Sequence, residues 1–131
     1  MSSWSRYFPG RADQVAQARL FVASVLAGRP EAEVAALVVS ELSTNAVRHT
    51  ASGGPDGLFA VTVRREEDRA TVSVQDMGAA GEPEIRDPEG DGPGESGRGL
   101  VLVAGVAKDW GAARNRLGWQ VWAELASTDG E

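Results

Sequence analysis

The stretch that most constrains the fold of this chain is SELSTNAVRH, residues 40–49, which ends a segment that predicts a helix over about 31–49. Large apolar residues recur there at helical spacing and form one stripe of the kind that packs against a core: Val34, Leu37, Val38 and Leu42. With 100° per residue counted from Val34, Glu41 and Asn45 fall at about 340° and 20°, in the middle of that stripe. Because burying an unpaired carboxylate or amide costs several kilocalories per mole, this face predicts a polar ligand, and a metal-bound ligand in particular.

The size of the chain and two rare residue types limit its class. At 131 residues it is expected to form a single domain over 1–131, large enough for a real core. It contains no cysteine, which excludes disulfides and thiolate metal sites. His49 is the one histidine, so a zinc site built from several histidines is excluded as well.

The charge and the apolar runs limit the partners. The formal net charge is −6, which argues against nonspecific nucleic-acid binding, because phosphate contacts need a basic surface. No apolar run approaches the roughly 20 residues of a membrane-spanning helix. Residues 1–8 lack the charged-then-apolar order of a signal peptide. We therefore expect a cytoplasmic protein without direct nucleic-acid or membrane contacts.

Hydrophobic periodicity predicts an alternating series of strands and helices. The elements, in order, are an edge strand over 5–8, a helix over about 14–26, the helix over 31–49, strands over 58–65 and 70–75, a helix from Gly97 to about 107, and strands over 110–114 and 118–125. Asp13 is the predicted N-cap of the first helix. Residues 79–96 are rich in Gly, Pro and acids, without periodicity, which predicts a functional lid or a disordered insert. The polar tail after Ala126 is expected to fray.

Three separated elements need one chemical explanation, and ATP provides it. The first is the pair on the second helix. Mg²⁺ takes oxygen ligands and bridges phosphates, so Asn45 is a candidate ligand through its side-chain carbonyl. Glu41, one turn earlier, is placed to orient or deprotonate an attacking hydroxyl or water.

The other two elements suit the base and the phosphates. Asp76 follows a strand, and its carboxylate is a good acceptor for the exocyclic amine of adenine. Gly78 would let the backbone approach the base plane. Free amides at the start of the third helix would cradle phosphates, with Arg98 adding charge; these belong to Gly97, Arg98, Gly99 and Leu100.

Each element taken alone also has a structural interpretation. Glycines at 97 and 99 often accompany a helix start after a flexible loop. Asp76 with Gly78 is compatible with a simple turn. Glu41 and Asn45 are compatible with polar positions at the rim of an apolar face. His49 fits a hydrogen-bonded structural histidine better than a catalyst, and the acidic segment fits a solvated tether.

The order of the motifs resembles that of a known superfamily. Residues 41–49 (ELSTNAVRH) resemble the N box of the GHKL-type ATPases with the Bergerat fold, which include gyrase B, MutL and the histidine kinases. Asp76-Met77-Gly78 resembles the adenine-binding G1 box, and residues 97–100 (GRGL) resemble the G2 box. Within that superfamily the chain is most similar to the bacterial anti-sigma-factor serine/threonine kinases, on residues 99–103 (GLVLV) and 118–125 (GWQVWAEL).

This resemblance implies a fold, ligands and partners. The fold class is α/β (α+β): a two-layer α/β sandwich with a mixed β-sheet covered on one face by helices. The implied ligands are ATP and Mg²⁺. The implied protein partners are a sigma factor, held inactive, and an antagonist protein phosphorylated on Ser or Thr, and the implied assembly is often a homodimer.

The resemblance also implies residue roles and one departure. Asn45 would coordinate Mg²⁺, Glu41 would be the catalytic base, and Asp76 would read adenine, while Gly97 and Gly99 close on the phosphates. In place of the subgroup's Gly-Lys-Thr/Val near the last strand, this chain has GWQ at 118–120, so Gln120 is predicted to replace a small hydroxyl residue that assists adenine recognition.

Several functions remain open from sequence. The first is a kinase that transfers the ATP γ-phosphate to an antagonist protein. The alternative from a different class is a non-catalytic regulator that binds its partner in an ATP-dependent manner. A free-standing ATPase is disfavoured because no second domain is predicted on which to do work. A detached histidine-kinase catalytic domain is compatible too, although no phosphoacceptor helix is predicted in these 131 residues.

Overall fold

A computed structural model of the protein describes residues 2–49, 54, 56–77 and 95–127. Its elements, in chain order, are β1 (Ser2–Pro9), α1 (Ala12–Val25), α2 (Ala32–His49), β2 (Leu58–Arg65), β3 (Arg69–Gln75), α3 (Glu95–Val106), β4 (Asp109–Arg114) and β5 (Trp119–Ala126). Every helix and strand predicted from periodicity is therefore confirmed, with changes at the ends. Across the described residues, none of the helices has the length and apolar character needed to cross a bilayer.

The start of α1 corrects one prediction. Arg11 occupies the N-cap position, and no side chain caps the helix there. Asp13 lies inside the first turn, where its carboxylate accepts a hydrogen bond from Nε of Arg11 at 3.1 Å. The prediction of Asp13 as N-cap is thus wrong, because the chain leaves the extended conformation two residues earlier than the apolar pattern indicates.

The five strands form one sheet in the order β1-β2-β3-β5-β4, with helices packed against it. The predicted two-layer sandwich is confirmed. The mixed sheet is not found among the described strands, since all four pairings are antiparallel. The physical reason is the position of β5. It inserts between β3 and β4, two strands that run in the same direction, and it runs opposite to both.

The core lies between the sheet and the helices. Alternate residues of the three central strands face the helices and are almost fully buried: Phe59, Val61, Val63, Ala70, Val72, Val74, Ala123 and Leu125. Phe8 of β1 stacks on Phe59 with ring centroids 5.4 Å apart, and Phe21 of α1 meets Phe8 edge-on at 6.0 Å. The two-residue alternation of the strands thus fixes which face of the sheet carries the helices.

Candidate nucleotide-binding site

The direction of α2 along the sheet is set at its start. Arg29 lies just before the helix, and its Nη2 donates to the carbonyl oxygens of Glu66 at 2.6 Å and Arg69 at 3.2 Å, in the turn between β2 and β3. From this turn α2 runs over β3, with which it is in contact. Its 18 residues span about 27 Å, which exceeds the roughly 23 Å of a seven-residue strand. We infer that the last turn of α2, which ends at His49, lies near the end of β3 that Asp76 follows, with Asn45 one turn before it.

The direction of α3 is set at its end. The amide of Lys108, which follows α3, donates to the carbonyl oxygen of Glu124 at 2.7 Å. Glu124 lies near the end of β5 that pairs with the start of β3. Because α3 finishes at that end of the sheet, its N-terminus points toward the opposite end, where Asp76 lies. From these two directions we infer that the end of α2, the start of α3 and the end of β3 lie at one edge of the sandwich.

Asp76 is buried and held by the first residue of β5. Its side chain and backbone together are 9% exposed. Its amide donates to the carbonyl oxygen of Trp119, and the amide of Trp119 donates to Oδ1 of Asp76, both at 2.9 Å. The carboxylate is therefore fixed in direction at the strand end, as recognition of one edge of a ligand requires.

A pair of side-chain amides, which was not predicted from the sequence, supports this strand end. Gln75 donates from Nε2 to Oδ1 of Asn115 at 3.1 Å and accepts from Nδ2 of Asn115 at 2.7 Å. Gln75 Nε2 also donates to the carbonyl oxygen of Asp76 at 2.8 Å. Asn115 Oδ1 in turn accepts the amides of Leu117 and Gly118. The β4–β5 turn is thereby locked onto the residues around Asp76. The one available signal was an Asn at the start of a turn.

The burial of α2 differs from the predicted stripe. Val34 and Leu37 are 36% and 39% exposed, while small residues beside the predicted stripe are buried. The fully or nearly buried set is Ala35, Ala36, Val38, Val39, Leu42, Ser43 and Ala46. The buried arc is therefore centred about 120° from Val34. Glu41 and Asn45 lie at its border and are half-buried, so their placement in the middle of the stripe was wrong. Small residues let α2 approach the sheet closely, an effect that the pattern of large apolar residues does not reveal.

Ser43, between those two residues, is fully buried, and its hydroxyl has no hydrogen-bond partner among the described residues. A buried unsatisfied hydroxyl costs about 1–3 kcal/mol. We therefore expect Ser43→Ala to leave the free energy of unfolding unchanged or to raise it by about 1 kcal/mol, measured by urea denaturation. A loss of more than about 1 kcal/mol would show that the hydroxyl has a stabilising partner.

The start of α3, which was predicted to bind the phosphates, has fewer free backbone amides among residues 97–100 than predicted. Because α3 begins at Glu95, Gly97 lies in its first turn, where amides lack a helical acceptor. Arg98, Gly99 and Leu100 lie further along, where backbone amides are used by the helix itself. Gly78 and residues 79–94 of the predicted lid lie outside the described residues.

A preformed metal site would bring several ligating side chains together. Among residues 2–49, 54, 56–77 and 95–127, no group of three or more His, Cys, Asp or Glu side chains is placed to hold a metal ion. Mg²⁺ does not require such a cluster, because proteins commonly bind it through one or two side chains together with waters and phosphate oxygens. A half-buried amide such as Asn45 suits that limited share of the coordination.

The register of β5 corrects the prediction for its first residues. Gln120 is paired with Gln75 and lies on the face of the sheet away from the helices. Trp119 lies on the helix face, together with Val121, Ala123 and Leu125, and beside Asp76. The residue next to Asp76 that departs from the subgroup's motif is therefore Trp119. The prediction that Gln120 takes this position is wrong.

The two-layer sandwich is the fold predicted from the GHKL-type motifs, and Asp76 lies buried at the end of its central strand β3. A family model described as the histidine kinase-like ATPase domain matches residues 8–125. The chain belongs to this family, and it is accordingly an ATP-binding domain with kinase-like chemistry. No match was found among curated proteins.

Proposed function

We propose that this domain binds Mg²⁺·ATP at the edge formed by α2, β3 and α3 and transfers the γ-phosphate to a Ser or Thr of an antagonist protein, while its other partner is a sigma factor that it sequesters. The observation that carries the proposal is the buried Asp76 carboxylate at the end of β3, held in direction by the amide of Trp119. The subgroup motifs at 99–103 and 118–125 support the choice of partners, and by the same resemblance the working assembly is a homodimer.

In this proposal Asp76 binds the base. Its Oδ1 is held by the Trp119 amide, and its carboxylate accepts the exocyclic amine of adenine. The start of α3 binds the phosphates, because the unpaired amides and the helix dipole favour anions. Asn45 supplies one oxygen to Mg²⁺, and the roles of Gly78 and Arg98 follow from the resemblance.

Glu41 acts at the transfer step. The oxygen of the substrate hydroxyl forms a bond to the γ-phosphorus, and the bond between that phosphorus and the bridging oxygen of ADP breaks. The proton of the hydroxyl passes to the Glu41 carboxylate. Glu41 is half-buried at the border of the buried face of α2, so part of its side chain is open to an incoming hydroxyl.

The experiment that tests nucleotide binding is thermal denaturation with and without millimolar Mg²⁺·ATP. A ligand present at 100 times its dissociation constant stabilises the folded state by about 2.7 kcal/mol, which should raise the Tm of the wild-type chain by several degrees. Asp76→Asn should reduce the stabilisation by Mg²⁺·ATP by about 1.5–3 kcal/mol, the value of a hydrogen bond to a charged group. The Tm shift of this variant should therefore be smaller than that of the wild-type chain.

A matched control separates binding from stability. Asn at position 76 still offers an oxygen to the Trp119 amide, so the fold should be retained. Asp68→Asn makes the same change at an exposed position, in the turn at the opposite end of the sheet, and should leave the ATP-induced shift intact. Absence of any shift for the wild-type chain would refute the nucleotide site altogether.

The non-catalytic regulator is the outcome to be distinguished. It predicts the same Tm shift with Mg²⁺·ATP but neither ADP formation nor phosphate transfer to candidate partners. The two readouts therefore separate the two functions on one preparation of the wild-type chain.

A further inference from the structure

Trp119 is a half-buried indole on the side of the sheet that faces the helices. Its neighbour on the same face, Val121, packs against the hydrophobic core. Among the described residues, Trp119 does not belong to that core or to the apolar side chains packed against it. A large apolar ring on the inner face, without a place in the core, needs another partner.

The other three tryptophans each have a partner. Trp110 packs against the core. The guanidinium of Arg65 lies 4.9 Å from the ring centre of Trp4. Trp122 lies on the opposite face of the sheet and covers Gly111. A Cβ atom added to Gly111 would lie 2.8 Å from the Trp122 ring. These three contacts explain why each indole is present without invoking a ligand.

The position of Trp119 beside Asp76 points to a ligand as the partner of its ring. Its amide and its carbonyl oxygen are both bound to Asp76, so its ring projects from the strand directly beside the carboxylate. Residues opposite one another on neighbouring strands have Cβ atoms about 4.5–5.5 Å apart. A planar base held by Asp76 through its edge would thus lie within reach of the indole.

We propose that Trp119 forms one wall of the base pocket and stacks on the adenine that Asp76 holds. This inference rests on the proposed function, and it adds a residue that determines how the base is recognised. Stacking of an aromatic side chain on a base tolerates any base, whereas a hydrogen bond to the carboxylate selects the amine. Trp119 would therefore contribute affinity for nucleotides in general, and Asp76 would contribute the preference for adenine.

The experiment combines calorimetric titration with intrinsic fluorescence. Trp119→Ala should weaken Mg²⁺·ATP binding about tenfold or more, in line with the loss of one stacked base. Binding of Mg²⁺·tripolyphosphate, which has no base, should be unchanged in the same variant. The tryptophan emission of the wild-type chain should change on addition of Mg²⁺·ATP. This change should persist in Trp4→Phe and Trp122→Phe and disappear in Trp119→Phe.

The outcomes separate the two proposals. Wild-type binding of Mg²⁺·ATP combined with unchanged affinity in Trp119→Ala, or with an emission change retained in Trp119→Phe, would overturn the role of Trp119 and leave the proposed function standing. No calorimetric binding of Mg²⁺·ATP by the wild-type chain would overturn both. Should Trp119→Ala fail to fold, Trp119→Phe preserves a ring at the strand start and carries the test through its fluorescence.

Discussion

Replacing Glu41 by Gln is expected to slow ADP formation from Mg²⁺·ATP by about 100- to 10,000-fold, the range over which a positioned general base contributes. Gln has nearly the same shape but cannot accept the proton of the attacking hydroxyl or water. Because water can serve as the acceptor, the rate can be measured in single-turnover assays without a protein partner. Binding of Mg²⁺·ATP, measured by the Tm shift, should be nearly unchanged.

The control for Glu41 lies on the same helix. Glu33 is exposed in the first turn of α2, near the opposite end of the sheet, so Glu33→Gln removes one carboxylate from α2 without touching the site. It should leave the rate of ADP formation intact. An unchanged rate in Glu41→Gln would remove Glu41 from the role of base.

Replacing Arg29 by Ala is expected to lower the free energy of unfolding by about 3–5 kcal/mol, as for the loss of one partner of a buried ion pair. The Glu31 side chain is 2% exposed, and Oε2 lies 2.9 Å from Nη2 of Arg29. Glu31 Oε1 has no hydrogen-bond partner among the described residues, so the truncation would leave a buried carboxylate without its cation. Chemical denaturation in urea measures the loss.

Two controls isolate the buried charge. Arg11 and Asp13 form an ion pair of the same type with side chains 60% and 69% exposed, so Arg11→Ala should cost less than about 1 kcal/mol. The double replacement Arg29→Met with Glu31→Leu removes both charges and should be less destabilising than Arg29→Ala alone. Equal losses in Arg29→Ala and Arg11→Ala would contradict the importance of burial at this pair.

The element order followed from the sequence because local patterns dictate it. The two-residue alternation at 58–65 and 70–75 and the helical spacing before His49 are properties of neighbouring residues. Asp76 at a strand end and Gly97 at a helix start were predicted for the same reason, since both depend on where an element ends. The family also followed, because its motifs are contiguous in the chain.

The tertiary structure alone decided the features that depend on distant residues. The insertion of β5 between β3 and β4 made the sheet antiparallel and placed Trp119, and not Gln120, beside Asp76. The close approach of α2 through Ala35, Ser43 and Ala46 moved Glu41 and Asn45 to the border of the buried face. The sequence by itself thus determined which residues end each element, and long-range pairing and packing determined which of them face one another.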